Sequence, residues 1–272
     1  MIILKSEKEI QRLKESADLV SQVHAELQKI IEPGLPTIEL DRAAEKFIRD
    51  HGAIPAFKGY RGFPYSVCVS INEQVVHGFP SERTLKEGDL LSLDIGVVYN
   101  GYVGDVARTV GVGQLSPEDD QLLRRAYHAL RCGIAAAKVG NRVGDISNTV
   151  ELLGNQFQYG VVREYVGHGV GREMHEDPQI PNVGRPGTGP RLQSGMVVCI
   201  EPMFNHGTHE VEVLKDRWTV VTKDRHKSVH VEDMVAIYED GPQILSSAPG
   251  RIYPAIGDLP DDGLLPTAQG QN

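Results

Sequence analysis

Two aspartates, two glutamates and a histidine are the side chains in this sequence best suited to holding divalent cations: Asp94, Asp105, His168, Glu201 and Glu232. The four carboxylates stand in, or at the end of, runs with strand-like composition, and the histidine follows such a run. Oxygen ligands with one imidazole suit Mn, Fe, Co or Zn, and paired ions of this kind serve metal-assisted hydrolysis. No cysteine belongs to the set, which argues against a structural zinc. Taken singly, each residue is ordinary, because carboxylates mostly face water and a lone histidine is usually no ligand.

The segment 90–112 is the most informative. Asn100-Gly101 is a two-residue hairpin signal, since a type I′ turn needs positive φ at both positions. That turn pairs Tyr99 with Tyr102 and sets Asp94 opposite Ala107. Asp105 then shares a face with Asp94, diagonal to it. Neighbouring carboxylates among Leu91, Leu93, Ile95 and Val103 would repel each other unless a cation joins them or the face is solvated.

His168 lies in Gly167-His168-Gly169-Val170-Gly171, read as a loop after a short strand; the flanking glycines permit close backbone approach. Arg172 occupies the third glycine position of a dinucleotide fingerprint, so that reading fails. His175-Glu176 does not continue to a zincin pair, because residue 179 is Gln. Glu201 ends the aliphatic run 196–200 before Pro202, and a charge ending a buried strand needs a partner. Glu232 lies inside the run 229–237, with His230 and Asp233 as competitors for its role. The residues alone lead to a dinuclear metallohydrolase.

The elements that must position these side chains follow from periodicity. Helices are predicted over 6–32, with Ser6 and Glu9 at capping-box spacing, then 37–50, 116–137 and 145–157. Strands are predicted at 66–71, 90–99, 102–112, 161–165, 196–204, 211–214, 218–222 and 230–238. The order is helix, helix, strands, twice. Pro33 to Leu40 and Val139 to Ile146 match in turn glycine, acidic residue and following aliphatic, 106 positions apart. Duplication of an ααβ unit follows, giving an α+β fold with mainly antiparallel sheet. After Gly241 a turn and a loose tail are expected.

The net charge of −9 disfavours a nucleic-acid or anionic-membrane surface. Three scattered cysteines fit a reducing cytoplasm, and no apolar run is long enough to span a bilayer.

Several ordered motifs together closely resemble the type I methionine aminopeptidases of the pita-bread metallopeptidase family, M24. They are Tyr65 to Glu73 with Val76-His77-Gly78, Leu93-Asp94-Ile95-Gly96 with Gly104-Asp105, and Gly167 to Gly171. His175-Glu176-Asp177-Pro178, Ile200-Glu201-Pro202-Met203, and Trp218 to Thr222 leading to Glu232 complete them. The likeness runs over residues 4–245.

The resemblance implies a pita-bread fold: two pseudo-symmetric ααβ halves, about 1–113 and 114–245, around a curved sheet in a single catalytic domain. Residues 246–272 would be a loosely ordered extension. It implies removal of the initiator methionine from nascent proteins, with Asp94, Asp105, His168, Glu201 and Glu232 holding two divalent ions (Co, Mn, Fe, Zn or Ni). Glu201 would shuttle a proton, while His175 and His77, the non-ligand histidines, would contact the scissile carbonyl and nitrogen. Tyr60, Phe63, Cys68, Trp218 and Met174 would line the methionine side-chain pocket. Phe57, where cysteine is common, and Met174, where an aromatic is common, depart from the pattern but stay apolar. The implied partners are nascent chains with a small second residue and the ribosome surface, met by a cytoplasmic monomer. Proline-specific relatives usually carry a large N-terminal domain, and non-catalytic members have lost ligands that are all present here.

Overall fold

The computed structural model describes residues 1–246. Its helices among those residues are α1 (Glu7–Gln28), α2 (Thr37–Asp50), α3 (Pro117–Ala136) and α4 (Val143–Gln156). Between the helix pairs lie β1 (Ile54–Pro55), β2 (Val67–Ile71), β3 (Gln74–Val76), β4 (Leu90–Tyr99) and β5 (Tyr102–Gly111). After α4 come β6 (Gly160–Val161), β7 (Gly167–Gly169), β8 (Glu176–Ile180), β9 (Val197–Ile200) and β10 (Met203–Asn205). The last are β11 (Val211–Val213), β12 (Val220–Thr222), β13 (Ser228–His230), β14 (Asp233–Tyr238) and β15 (Gly241–Ile244). No described helix is long and apolar enough to cross a membrane.

Local chemistry accounts for the helix starts. Glu9 accepts the Ser6 amide at 3.0 Å and its hydroxyl at 2.8 Å, closing the first turn of α1. Ser116 accepts the Asp119 amide at 3.1 Å, with Pro117 at the first helical position. The joints between paired helices repeat: Gly34 and Gly140 turn with φ of 96° and 91°. Next to them, isolated bridges join Pro36 to Thr84 and Arg142 to Arg191.

The sheets are antiparallel. β4 is flanked by β5 on one edge and by β2 and β1 on the other. A five-stranded sheet runs β15-β14-β9-β7-β8, and two three-stranded sheets run β13-β10-β6 and β11-β12-β3. Helices cover one face of each large sheet. Leu91, Leu93 and Ile95 pack with Val20, Val23, Leu40 and Ile48 of α1 and α2, while Val198, Ile200, Val235 and Ile237 pack with Leu122, Leu130, Val150 and Leu153 of α3 and α4. Strand alternation sends Asp94 from the first sheet, and Cys199 and Met234 from the second, to the opposite faces.

Several expectations need correction. The runs 196–204 and 230–238 are each two strands, broken at Glu201-Pro202 and at Val231-Glu232, where the chain passes from one sheet to another. Pro202 has no amide to continue a ladder. The strand expected at 161–165 is only β6. His168 lies on β7, bonded between β8 and β9, and not in a loop. Residues 241–244 form β15 against β14 where a turn was expected. Of the extension expected at 246–272, only Ser246 is among the described residues.

Candidate metal centre

The hairpin forms in the expected register. Asn100 and Gly101 have φ of 51° and 79°, Tyr99 faces Tyr102, Asp94 faces Ala107, and Asp105 faces Gly96. Asp94 and Asp105 are therefore diagonal on one face. Glu201 and Glu232 stand at the two strand breaks, one residue beyond the paired Ile200 and Asp233. The Glu232 amide donates to Ala107 O at 2.9 Å, joining this break directly to the hairpin. Arg108 donates to the Glu232 carbonyl and to the Asp233 carboxylate. The side chain of Asp233 is thus occupied, which leaves Glu232 facing the cluster.

His168 owes its place to its neighbours. A Cβ on Gly167 would sit 2.3 Å from Cys199 O, and one on Gly169 2.2 Å from Asp177 O, so only glycine lets β7 lie this close to β9 and β8. Its Nε2 lies 3.7 Å from Asp105 and 3.8 Å from Glu201, while Nδ1 meets Gly169 O at 3.0 Å.

Ligand atoms of Asp105, His168, Cys199 and Glu232 all lie within 4.8 Å of one another, and all four residues are buried. Asp94 Oδ1, Asp105 Oδ1 and Glu232 Oε1 are enclosed without a hydrogen-bond partner. Burial, then the Glu232 charge, pushes the Asp94 and Asp105 carboxyls well up; burial, then Glu201, does the same to Glu232. Burial alone moves Glu201 to about 8. Enclosed, unsatisfied carboxylate oxygens around an imidazole are the donor set of a divalent cation, which would relieve both the repulsion and the missing contacts. His168 is held down to about 4 by burial, so the ring is neutral at physiological pH, the form in which an imidazole can take a metal.

These groups form the floor of a pocket of about 190 Å³, whose walls include Phe57, Tyr60, Phe63, Cys68, Met174 and Trp218. Phe63 packs edge-on to Trp218, with ring centroids 5.1 Å apart. Both departures from the family pattern, Phe57 and Met174, line this pocket and keep it apolar. His175 stands at the mouth, its Nδ1 2.9 Å from the Tyr60 hydroxyl and its ring 4.3 Å from that of His168. Burial, then Arg61, lowers its pKa. His77 has φ of 58°, strained for a residue with a side chain, and lies edge-on to Tyr165 and Trp218. Burial holds it at about 4.

The structure thus brings together every site residue singled out in the sequence. It adds two. Cys199 Sγ lies among the atoms that could hold an ion. His230 lines the pocket with Nε2 enclosed, free of any hydrogen bond, and 3.4 Å from Glu201. Both lie two residues from a glutamate already singled out, a spacing that on a strand returns to the same face.

The model of metallopeptidase family M24 matches residues 11–239. The chain belongs to this family. Within it the chain falls among the methionine aminopeptidases. It is 50% identical over 246 residues to methionine aminopeptidase 1 of Bacillus subtilis, covering 90% of this chain and 99% of that one. Identity to the methionine aminopeptidase of Clostridium acetobutylicum is 49% over 247 residues, with the same coverage. The crystal structure of methionine aminopeptidase from Rickettsia prowazekii superposes with a TM-score of 0.90 at 35% identity, covering 91% of this chain and all of that one. The M24 chain is accordingly a metal-dependent hydrolase with an α+β, pita-bread architecture.

Proposed function

We propose that this M24 enzyme removes the first residue of polypeptides beginning with methionine, using two divalent ions held by Asp94, Asp105, His168, Glu201 and Glu232. The observation that carries the reading is that an apolar pocket ends on a floor of enclosed carboxylates. An unbranched thioether fits such walls. When bound, divalent ions supply Lewis acidity toward a carbonyl oxygen and an attacking water.

The side chains divide the remaining work. Glu201, buried on the pocket floor 3.8 Å from His168, is assigned to carry a proton from the water to the departing amine. His175, with Nδ1 engaged by Tyr60, keeps Nε2 for the carbonyl oxygen as negative charge develops. His77, fixed in its strained backbone, is assigned to the scissile nitrogen. Tyr60, Phe63, Cys68, Met174 and Trp218 exclude water and hold the methionine side chain, leaving room for a small second residue.

Among Co, Mn, Fe, Zn and Ni, the ion is to be settled by metal analysis of protein purified without added metal. Residues 1–245 are inferred to be one catalytic domain of two halves, about 1–113 and 114–245, the repeated helix joints supporting that division. A cytoplasmic monomer working on chains emerging at the ribosome surface completes the reading, and the net charge of −9 turns it away from nucleic acid and anionic membrane. The test is manganese-loaded protein offered Met-Ala-Ser and a matched X-Pro peptide. Release of free methionine from the first alone is expected; cleavage only of the second would replace this reading with a proline-directed one.

A further inference from the structure

The loop 171–175, which carries Met174 and His175, is tied down by a charge pair reaching in from residues ahead of α1. Lys5 Nζ lies 2.5 Å from Glu176 Oε2, and the two side chains are only 5% and 8% exposed. The other carboxylate oxygen of Glu176 turns back over the loop and accepts the amides of Arg172 at 3.1 Å and Glu173 at 3.3 Å. It lies so close that a Cβ on Gly171 would come within 2.3 Å of it. Lys5 is itself fixed, its amide donating to Gly195 O at 2.7 Å and its ammonium to Ile3 O at 3.0 Å. A second tie runs beside the first: Arg172 donates to the Tyr102 hydroxyl at 2.9 Å, which donates to Glu9 of α1 at 3.1 Å.

The geometry points to Lys5 and Glu176 as positioning residues for the reaction. Both oxygens of Glu176 are committed, one to Lys5 and one to the loop, so the ion pair sets where Met174 meets the substrate side chain and where His175 meets the carbonyl. It therefore governs both turnover and selectivity for the first residue. This rests on the roles given above to Met174 and His175. Removing one partner of a buried pair strands the other charge, whereas removing both charges leaves neutral groups able to keep the packing.

Lys5→Met, Glu176→Gln and the double variant, each loaded with manganese, are to be compared with the unaltered enzyme and with His175→Ala. The readouts are kcat, KM, the preference for Met over Leu at the first position, metal content and thermal midpoint. Lys5→Met is expected to lose about tenfold in kcat with KM and metal content nearly unchanged, and to lower the Met preference several-fold. The double variant should regain most of both. If Lys5→Met does not fold, Glu176→Gln carries the same expectation, since Gln keeps the amide contacts and removes the charge. A folded variant with unaltered kcat and selectivity, or a loss that the double variant does not restore, overturns the inference. So does a lower thermal midpoint with kinetics intact. Failure of the functional reading looks different: the unaltered enzyme releases no methionine, or His175→Ala is fully active.

Discussion

The β4–β5 hairpin and the pair of broken strands facing it deliver carboxylates to one place by different means. In the hairpin a single turn does the work: Asn100 and Gly101 fix the register, and alternation sends Asp94 and Asp105 to one face. On the other side no turn sets the spacing. Glu201 and Glu232 sit where two strands each stop and change sheets, and their places depend on β9 pairing with β14 and on the Glu232 amide meeting Ala107 O. One side of the centre is specified locally and the other by long-range pairing, which has consequences for what breaks each.

The largest effects should come from the proposed ligands and be alike on both sides. Asp105→Ala and Glu232→Ala should each lose bound metal and about a thousandfold or more in kcat/KM, read by metal analysis and steady-state kinetics. A fully loaded variant on either side would remove that side from the centre. His175→Ala, outside the proposed ligands on either side, should lose about a hundredfold in kcat with metal content unchanged.

Next is the pH dependence of the metal-free protein. The cluster carboxyls have folded pKa values above their unfolded ones, so the folded state holds the extra protons. Stability is fullest below the unfolded value of 4.5 and is lost as pH rises through the folded value of Glu201, about 8. The fall should be on the order of a few kcal/mol, read from urea midpoints of chelated protein. Loading with metal should reverse the trend, because the ligands are then deprotonated.

The smallest effects separate the two designs most clearly. Gly167→Ala, which would press a Cβ to 2.3 Å from Cys199 O, should cost about 3 kcal/mol and weaken metal binding through His168. Gly101→Ala would make only an ordinary contact, its Cβ 3.8 Å from Arg172 Nη1, and so meets mainly the penalty of positive φ, about 1 kcal/mol, with metal binding intact. Equal costs in denaturant titrations would contradict the distinction.

The same division explains what could be read from the sequence. The turn dipeptide, the helix and strand periods and the capping box at Ser6 and Glu9 are short-range signals, and they place α1 to α4, β4, β5 and both aspartates. The breaks at Glu201-Pro202 and Val231-Glu232 read as continuous strands, because which sheet a residue joins is decided by partners far along the chain. β7 looked like a loop since its glycines signal freedom, whereas here they serve close approach between strands. Cys199 was within reach of a two-residue period from Glu201, but a cysteine in an apolar run is usually core, whereas His230 was named as a competitor of Glu232 that spacing alone does not rank.

Cys199 lies fully buried on β9, opposite Met234, its thiol held well above its ordinary pKa by burial and the Glu232 charge. An alkylating reagent can reach that sulfur only when β9 leaves its neighbours, so labelling of this one atom keeps time for the opening of the five-stranded sheet. An ion that gathers Glu201 and Glu232 around itself should slow the clock.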